Sequence, residues 1–493
     1  MLIEAEKYFL EKRKIIERKS LLQIKEYITT VNSKKNFFVH SPAKTNRSIM
    51  KNVLILGAGL VSKPAIFYLL DKKINVTIAA MDISPIKDIT QKYPNAQVVK
   101  WTTDEKERLD EMVSNNDVIV SLLPFVFHPM VAEYCIKHRR HLVTTSYVKP
   151  EMQALDQAAR NAGVILLNEI GLDPGIDHMS AMRIIDHIHQ RGGKVEEFYS
   201  ICGALPAPES VNNPLGYKFS WAPRGVILAS KSDALYLKNG EKRFIPTKDL
   251  FADSFTVDFE NVGKLEVYPN RNSIDYIDIY KIPEVKTMYR GTFRFPGWCE
   301  TLHVMKQLDL LDETQTNLKG LSPAAIVAQK NKVEADNLKK NLAAKIAVAE
   351  SSTALSALEW LGLFDTEPLT YEPNSLFNLV ADKMLEKMSM NSTDRDMIVM
   401  LHSFVASYPD GKKEVIRSKM LDFGDIASHT AIARTVSLPA AIAVEMILNG
   451  NIKLTGVWRP VVPEIYNPVL DQLETMGIKM EEEYGLPLSQ KIN

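Results

Sequence analysis

Between residues 51 and 167 the chain alternates short unbroken apolar runs with longer stretches whose apolar positions recur at helical spacing. The runs fall at 53–56, 76–80, 98–101, 118–123, 141–145 and 164–167. Continuous hydrophobicity predicts strands buried on both faces, and helix-length segments between them predict right-handed crossovers, hence a doubly wound parallel sheet. Beyond residue 171 the texture changes to loops dense in proline and glycine, such as Asp173-Pro174-Gly175 and Asn213-Pro214-Leu215-Gly216, followed by strand-like runs such as 265–268. This predicts a second, mixed α/β domain. Residues 301–365, rich in Ala, Leu and Lys, predict an inserted all-helical unit. Apolar runs at 397–407 and 414–421 flank Pro409-Asp410-Gly411 and predict a hairpin, and a helical pattern covers 426–448.

The first apolar run feeds directly into Gly57-Ala58-Gly59-Leu60-Val61-Ser62 and then into a helical pattern. In that order a strand hands a dinucleotide's phosphates to a helix N-terminus: Gly57 permits the tight turn, Gly59 the close approach of the pyrophosphate, and the first helical amides supply donors. Asp82 ends the second run, where an acid meets the adenosine ribose hydroxyls of NAD. Ligand is expected at the carboxyl edge of the sheet, with Gly57, Gly59, Leu60, Val61, Asp82, Leu123 and Pro124 as the candidate cofactor contacts.

The expected organisation follows. Residues 1–50 form an N-terminal helical extension and 51–172 a Rossmann dinucleotide-binding domain, with 425–493 packing on it. Residues 173–300 together with 366–424 form the α/β substrate and dimerisation domain, and 301–365 a helical lid. A chain of 493 residues is long enough for two or three cores. Lys+Arg and Asp+Glu both number 60, so no overall field favours nucleic acid or an anionic membrane. Cys135, Cys202 and Cys299 are too few and too scattered for a disulfide scaffold or a cysteine zinc site, which points to a reducing, cytoplasmic setting. No metal site is expected, since there is neither a His-Glu-x-x-His nor a Cys-x-x-Cys spacing, and His187 and His189 point to different sides of a helix. No apolar run reads as a membrane span. Residues 1–49 carry eleven basic and five acidic residues with an amphipathic pattern over 4–28. Five acids argue against a mitochondrial presequence and for an appended helix or an upstream start site, with Met50 just before the first strand.

Asp173 stands in a Pro-Gly turn directly after the last strand of the parallel sheet, which presents an acid to an interdomain cleft. Around it stand Asn168-Glu169-Ile170-Gly171-Leu172-Asp173-Pro174-Gly175-Ile176-Asp177-His178, Cys202-Gly203-Ala204-Leu205-Pro206, Asn213 to Trp221, Tyr268-Pro269-Asn270-Arg271, Arg290-Gly291-Thr292-Phe293-Arg294 and Thr144-Thr145-Ser146-Tyr147. From residue 51 to about 485 these strings closely resemble the saccharopine reductase family, the glutamate-forming saccharopine dehydrogenases. The resemblance implies a homodimer with a dinucleotide domain, a substrate domain and a helical lid. It also implies a reversible reaction in which saccharopine and an oxidised nicotinamide cofactor give glutamate and α-aminoadipate semialdehyde through an imine. Matching positions place Ser146, Tyr147, Asp173, Cys202, Gly203, Trp221, Arg271 and Thr292 around the amino acid. Arg224 and Arg271, in Gly/Pro-flanked loops, suit the three carboxylates of such a substrate. Asp173, Tyr147 and Cys202 are the candidates for handling protons, with Asp173 and Tyr147 positioning amine and water and Cys202 lining the pocket. Each also has a structural role open to it: an acid organising its turn, an aromatic filling a gap, a small buried hydrophobe.

Two departures from the family's common pattern bear on specificity. Many members end the second strand with an arginine suited to the NADP 2′-phosphate, whereas this chain has Met81-Asp82, which suits the free hydroxyls of NAD. The cofactor is therefore read as NADP or NAD. Ala222-Pro223 follows Trp221 where a serine pair is common. Two other readings stand beside the main one: a polyamine-pathway relative of the carboxynorspermidine dehydrogenase or homospermidine synthase type, and a nucleotide-sensing scaffold without turnover.

Overall fold

The computed structural model describes residues 51–220, 223–426 and 428–492; the expected helix over 4–28, Trp221 and the side chain of Arg224 lie outside the described residues. The first six strands are β1 (Asn52–Leu56), β2 (Asn75–Ala80), β3 (Ala96–Lys100), β4 (Val118–Ser121), β5 (His141–Thr144) and β6 (Ile165–Leu167). They match the six apolar runs, within three residues at each end. Alternate residues of β1 feed different cores: Val53 and Ile55 pack on one face, Leu54 and Leu56 on the other. That double burial is why the strands read as continuous rather than alternating hydrophobicity.

A second, mixed sheet holds β7 (Lys194–Pro206), β8 (Ala234–Lys238), β9 (Glu241–Ile245), β10 (Phe255–Phe259), β11 (Gly263–Pro269), β12 (Thr287–Arg294), β13 (Asp396–Ser407) and β14 (Lys413–Phe423). The expected hairpin is β13–β14, paired antiparallel, with Gly411 at φ 82° in the turn. The chain then adds β15 (Gly456–Trp458) parallel to β6 and β16 (Glu481–Leu486) antiparallel to β14. The parallel sheet thus runs β15-β6-β5-β4-β1-β2-β3, and the second runs β10-β11-β12-β7-β13-β14-β16, with β8 and β9 to the side.

Helices Trp298–Gln307, Pro323–Asn331, Leu338–Ile346, Thr353–Trp360 and Leu376–Met388 share one core with a face of the second sheet, through residues such as Ile201, Leu205 and Val399. The helical stretch therefore begins three residues before 301 and resumes past 365. Its last helix falls outside the expected range because the intervening loop at Thr366–Pro373 breaks the Ala/Leu/Lys texture. The opposite face of the sheet, with Phe198, Met400 and Phe404, belongs to the same core as Val53, Ile55 and Ile78 of the parallel sheet.

Helix Ala431–Leu448 joins these two sheets. It packs on helix Lys63–Asp71, on β4 and β5, and on β13. The helix is long and apolar enough to cross a membrane, which corrects the reading that no run reaches that length; 78% of it is buried, because protein covers it on several sides. Its start lies at Ala431 rather than 426, fixed by Thr430, whose side chain accepts from Ala433 N, and by Asp396, whose carboxylate takes Ala431 N at 2.7 Å and Ile432 N at 3.0 Å.

Asp422 sits near this cap, buried, with Oδ2 unpartnered among the described residues and Arg434 3.4 Å from Oδ1. Burial pushes its carboxyl up to about 6, with Asp396 adding to the rise and Arg434 opposing it. An acid whose folded pKa lies above its unfolded value stabilises the fold fully below about pH 4, and that contribution is lost as pH rises through about 6, on the order of 2 kcal/mol. Asp422→Asn is therefore expected to melt higher than the parent protein at pH 7.5 and to flatten the decline in melting temperature between pH 5 and 7.5. An Asn variant that melts lower by the same margin at both values would contradict this.

Candidate active site

Two cavities open along the carboxyl edge of the parallel sheet. The first, about 760 Å³, is lined by Gly57, Gly59, Leu60, Asp82, Leu123 and Pro124 among the expected cofactor contacts. Val61 is half-buried and does not line it. Gly57 adopts φ 106°, and a Cβ there would stand 3.1 Å from Leu122 O, so both conformation and space favour glycine. Gly59 differs: a Cβ built on it meets nothing within 4 Å. Its small size keeps the cavity clear above the start of helix Lys63–Asp71, as a phosphate cradle requires. Ser62 closes the turn by donating from Oγ to Gly59 O at 2.8 Å. Leu60 and Met81, both more than two-thirds exposed, offer apolar surface at the rim. The residues present fit a dinucleotide.

Asp82 is exposed at the end of β2 and accepts Ser84 N at 2.9 Å. Hydrogen bonds from Ser84 hold its carboxyl below the ordinary range, so it is ionised at neutral pH. Lys63, at the first turn of the helix, lines the same cavity.

The second cavity, about 640 Å³, borders the first across Pro124–Phe125 and across the start of helix Ala431–Leu448, whose Ala433 lines one cavity and Ile432 the other. Ser146, Tyr147, Asp173, Cys202, Arg271 and Thr292 all line it. Gly203 does not: a Cβ there would come within 2.7 Å of Phe293 Cβ, so the glycine serves the close approach of β7 and β12.

Its centre is a buried charge cluster. Asp173 Oδ1 accepts the Tyr147 hydroxyl at 3.0 Å and a hydrogen bond from Arg290 Nη2, which also donates to Asp177 Oδ2 at 3.0 Å. Arg290 Nη1 donates to the Tyr276 hydroxyl at 2.6 Å, and the guanidinium stacks 4.3 Å from that ring's centroid. The turn carrying Asp173 is built by sequence: Gly175 has φ 149°, where an added Cβ would lie 2.0 Å from Gly171 O, and its N–H donates to Asp177 Oδ1 at 2.6 Å. Behind it, His178 bridges Glu169 and the Tyr280 hydroxyl, each at 2.8 Å. Burial works against charge on His178, but Asp177 and Glu169 outweigh it and raise its pKa.

Burial also raises the Asp173 carboxyl; Arg290 opposes this and Asp177 adds to it. Both Tyr147 and Cys202 are pushed well above their ordinary values by burial, with Asp173 adding to each. The Cys202 thiol therefore stays protonated and lines the wall. Of the three, Asp173 is the carboxyl, and it lines the cavity with its proton affinity raised by burial.

Further polar side chains line this cavity that the sequence does not single out as site residues, among them the cations Arg294 and Lys149 and the amide of Asn270. Arg294 is buried against the rings of Tyr217 and Trp298, 4.7 and 5.1 Å from their centroids, with Nε unpartnered among the described residues. Arg290, Thr292 and Arg294 lie two apart on β12, so strand periodicity is the signal that links them. Arg271, exposed, lies 5.5 Å from the Tyr147 ring centroid.

The family profile of the saccharopine dehydrogenase NADP binding domain matches residues 53–167, and that of the saccharopine dehydrogenase C-terminal domain matches 171–478. The chain is 37% identical over 446 residues to the saccharopine dehydrogenase [NADP(+), L-glutamate-forming] of Schizosaccharomyces pombe, covering 88% of this chain and 99% of that one. It is 36% identical to the mitochondrial alpha-aminoadipic semialdehyde synthase of Bos taurus, covering 87% of this chain and 47% of that protein. The solved apo saccharopine dehydrogenase (L-Glu forming) of Saccharomyces cerevisiae superposes with a TM-score of 0.81 at 34% identity, covering 88% of this chain and 99% of that one. With both profiles together covering the parallel sheet, the helical stretch and the second sheet up to β14, the chain belongs to the saccharopine dehydrogenase family.

Proposed function

We propose that the chain interconverts saccharopine and water with glutamate and α-aminoadipate semialdehyde, using NADP or NAD. The observation that carries this reading is the adjacency of two cavities, one shaped for a dinucleotide and the other cationic at its walls with the Asp173–Tyr147–Arg290 cluster at its base. Saccharopine bears three carboxylates, and Arg271, Arg294 and Lys149 supply cations around the second cavity. Such a lining opposes a polyamine, which disfavours the polyamine-pathway alternative.

The bound nicotinamide supplies the acceptor for the hydride that leaves the carbon beside the secondary amine. The protein's share is orientation and proton movement. Arg294, braced between Tyr217 and Trp298, and Arg271 hold substrate carboxylates so that the amine faces Asp173 and Tyr147. Asp173 takes a proton from the water that adds to the imine carbon. It passes that proton to the glutamate nitrogen and, as the carbon–nitrogen bond breaks and the aldehyde forms, takes up the proton of the carbinolamine hydroxyl, which then leaves to solvent. A carboxyl whose proton affinity is raised by burial serves both directions better than an ordinary, fully acidic one. Tyr147, protonated and donating to Asp173 Oδ1, fixes which oxygen of the carboxylate faces the substrate.

Asp173→Asn tests this role. It keeps size and turn-forming tendency but removes the proton acceptor and the charged contact to Arg290, which retains Asp177 as counter-ion. The specificity constant for saccharopine is expected to fall about tenfold to a hundredfold with little change in cofactor affinity. Full activity in a stably folded variant would assign Asp173 to the turn alone.

Cofactor preference rests on a local balance. The ionised Asp82 at the end of β2 favours free ribose hydroxyls and repels a 2′-phosphate, while Lys63 adds a cation to the same cavity. We read the chain as using NADH at least as well as NADPH. Asp82→Ala is expected to weaken NADH more than NADPH in the glutamate-forming assay run in reverse. A hundredfold preference of the parent protein for NADPH would contradict it.

A further inference from the structure

His128 opens helix His128–His138, immediately after the loop that lines the cofactor cavity, and is 3% exposed. The residues flanking it reach both cavities: Phe127 lines the first and Phe125 the second. The imidazole lines neither. Its Nδ1 lies 2.9 Å from Ser121 Oγ, at the end of β4. Its Nε2 lies 2.8 Å from Ser146 Oγ and 3.0 Å from Thr144 Oγ1 at the end of β5. Ser121 and Thr144 are fully buried, whereas Ser146 lines the substrate cavity beside Tyr147 and Asp173.

The imidazole pairs through both nitrogens with three hydroxyls: it satisfies the buried Ser121 and Thr144 and, beyond what their burial requires, reaches Ser146 at the cavity. Burial holds the imidazole down at about 4, so it is neutral throughout the neutral range and moves no charge into the cofactor cavity. What it does is fix a rotor. A serine hydroxyl has one proton and two lone pairs, and a bond to Nε2 uses one of the three. In either tautomer of the ring at least one lone pair of Ser146 Oγ remains for the cavity.

We propose that His128 is a positioning residue for the reaction: it locks the Ser146 hydroxyl so that its free lone pair faces the substrate cavity and accepts the N–H of the substrate's secondary amine. This rests on the reading of the second cavity as the saccharopine site. The amine would then be held from two sides, by Ser146 and by the Asp173–Tyr147 pair, which limits its rotation about the bond to the carbon that gives up hydride.

The ring's two nitrogens can be mimicked separately. In His128→Gln the terminal amide reaches the place of Nε2 and keeps the contact with Ser146; in His128→Asn the shorter amide reaches only the place of Nδ1 and keeps Ser121. Steady-state saccharopine oxidation, cofactor affinity by fluorescence quenching, and melting temperature would be measured for both variants, for Ser146→Ala, and for Ser146→Ala combined with His128→Asn. Ser146→Ala and His128→Asn are each expected to lower kcat roughly five- to tenfold, the loss of one hydrogen bond, with cofactor affinity unchanged. His128→Gln is expected to recover most of that turnover, and the double variant to be no slower than Ser146→Ala, because both changes remove the same contact. A full kcat in His128→Asn, equal losses in Asn and Gln, additive losses in the double variant, or a loss confined to cofactor affinity would each overturn the proposal. Absence of saccharopine turnover by the unmodified protein would overturn the parent reading and this one together.

Discussion

A guanidinium buried in protein is tolerable only beside counter-charge, and the pairing of Arg290 with Asp173 and Asp177 meets that demand at the junction of the two sheets. Arg290 comes from β12 of the second sheet, while Asp173 and Asp177 come from the turn and helix that follow the last of the six early parallel strands. One side chain therefore ties the acid that lines the second cavity to the opposite sheet. The cluster also sets the protonation of the cavity's acid groups: two carboxylates share one cation, burial raises the proton affinity of Asp173, and the neighbouring thiol and phenol are kept protonated.

The two sheets do not meet by electrostatics alone. Helix Ala431–Leu448 lies in the core common to both, and its first turn borders both cavities. The same apolarity that would let it cross a bilayer is what allows it to be covered on several sides. Asp396, from β13, caps it through two backbone amides, so the position of the helix start is set by the second sheet, while its length packs on β4 and β5 of the first as well as on β13. The geometry between cofactor and substrate is thus fixed by a buried cap and a buried ion cluster, both drawn from elements far apart in sequence.

Much of this architecture is legible in the amino-acid sequence. The six parallel strands are visible because burial on both faces leaves an uninterrupted apolar signal, and the β13–β14 hairpin because Pro-Asp-Gly separates two long apolar runs. Asp173 is visible because an acid between a strand and Pro-Gly is unusual. Arg290 and Asp177 stand in the strings that carry the family resemblance, yet neither is marked there as a site residue, since no local pattern says that residues 113 apart in the chain form an ion pair. His128 leaves no signal at all: a lone histidine after Phe-Val-Phe becomes meaningful only when β4 and β5 bring Ser121, Thr144 and Ser146 to its ring. Gly203 shows the converse, a residue placed at the substrate by resemblance whose visible constraint is the approach of two strands.

The central claim is that Arg290 both balances the buried carboxylates and holds Asp173 where it can act. The most direct measurement is the melting temperature and saccharopine turnover of Arg290→Gln, alone and combined with Asp177→Asn. Alone, the substitution leaves two buried acids without their cation and should lower the melting temperature and abolish measurable turnover. Adding Asp177→Asn removes one unbalanced charge and should restore much of the melting temperature while turnover stays lost, because Asp173 still lacks its clamp. Recovery of turnover along with stability, or an Arg290→Gln protein that melts and turns over like the parent, would contradict the account.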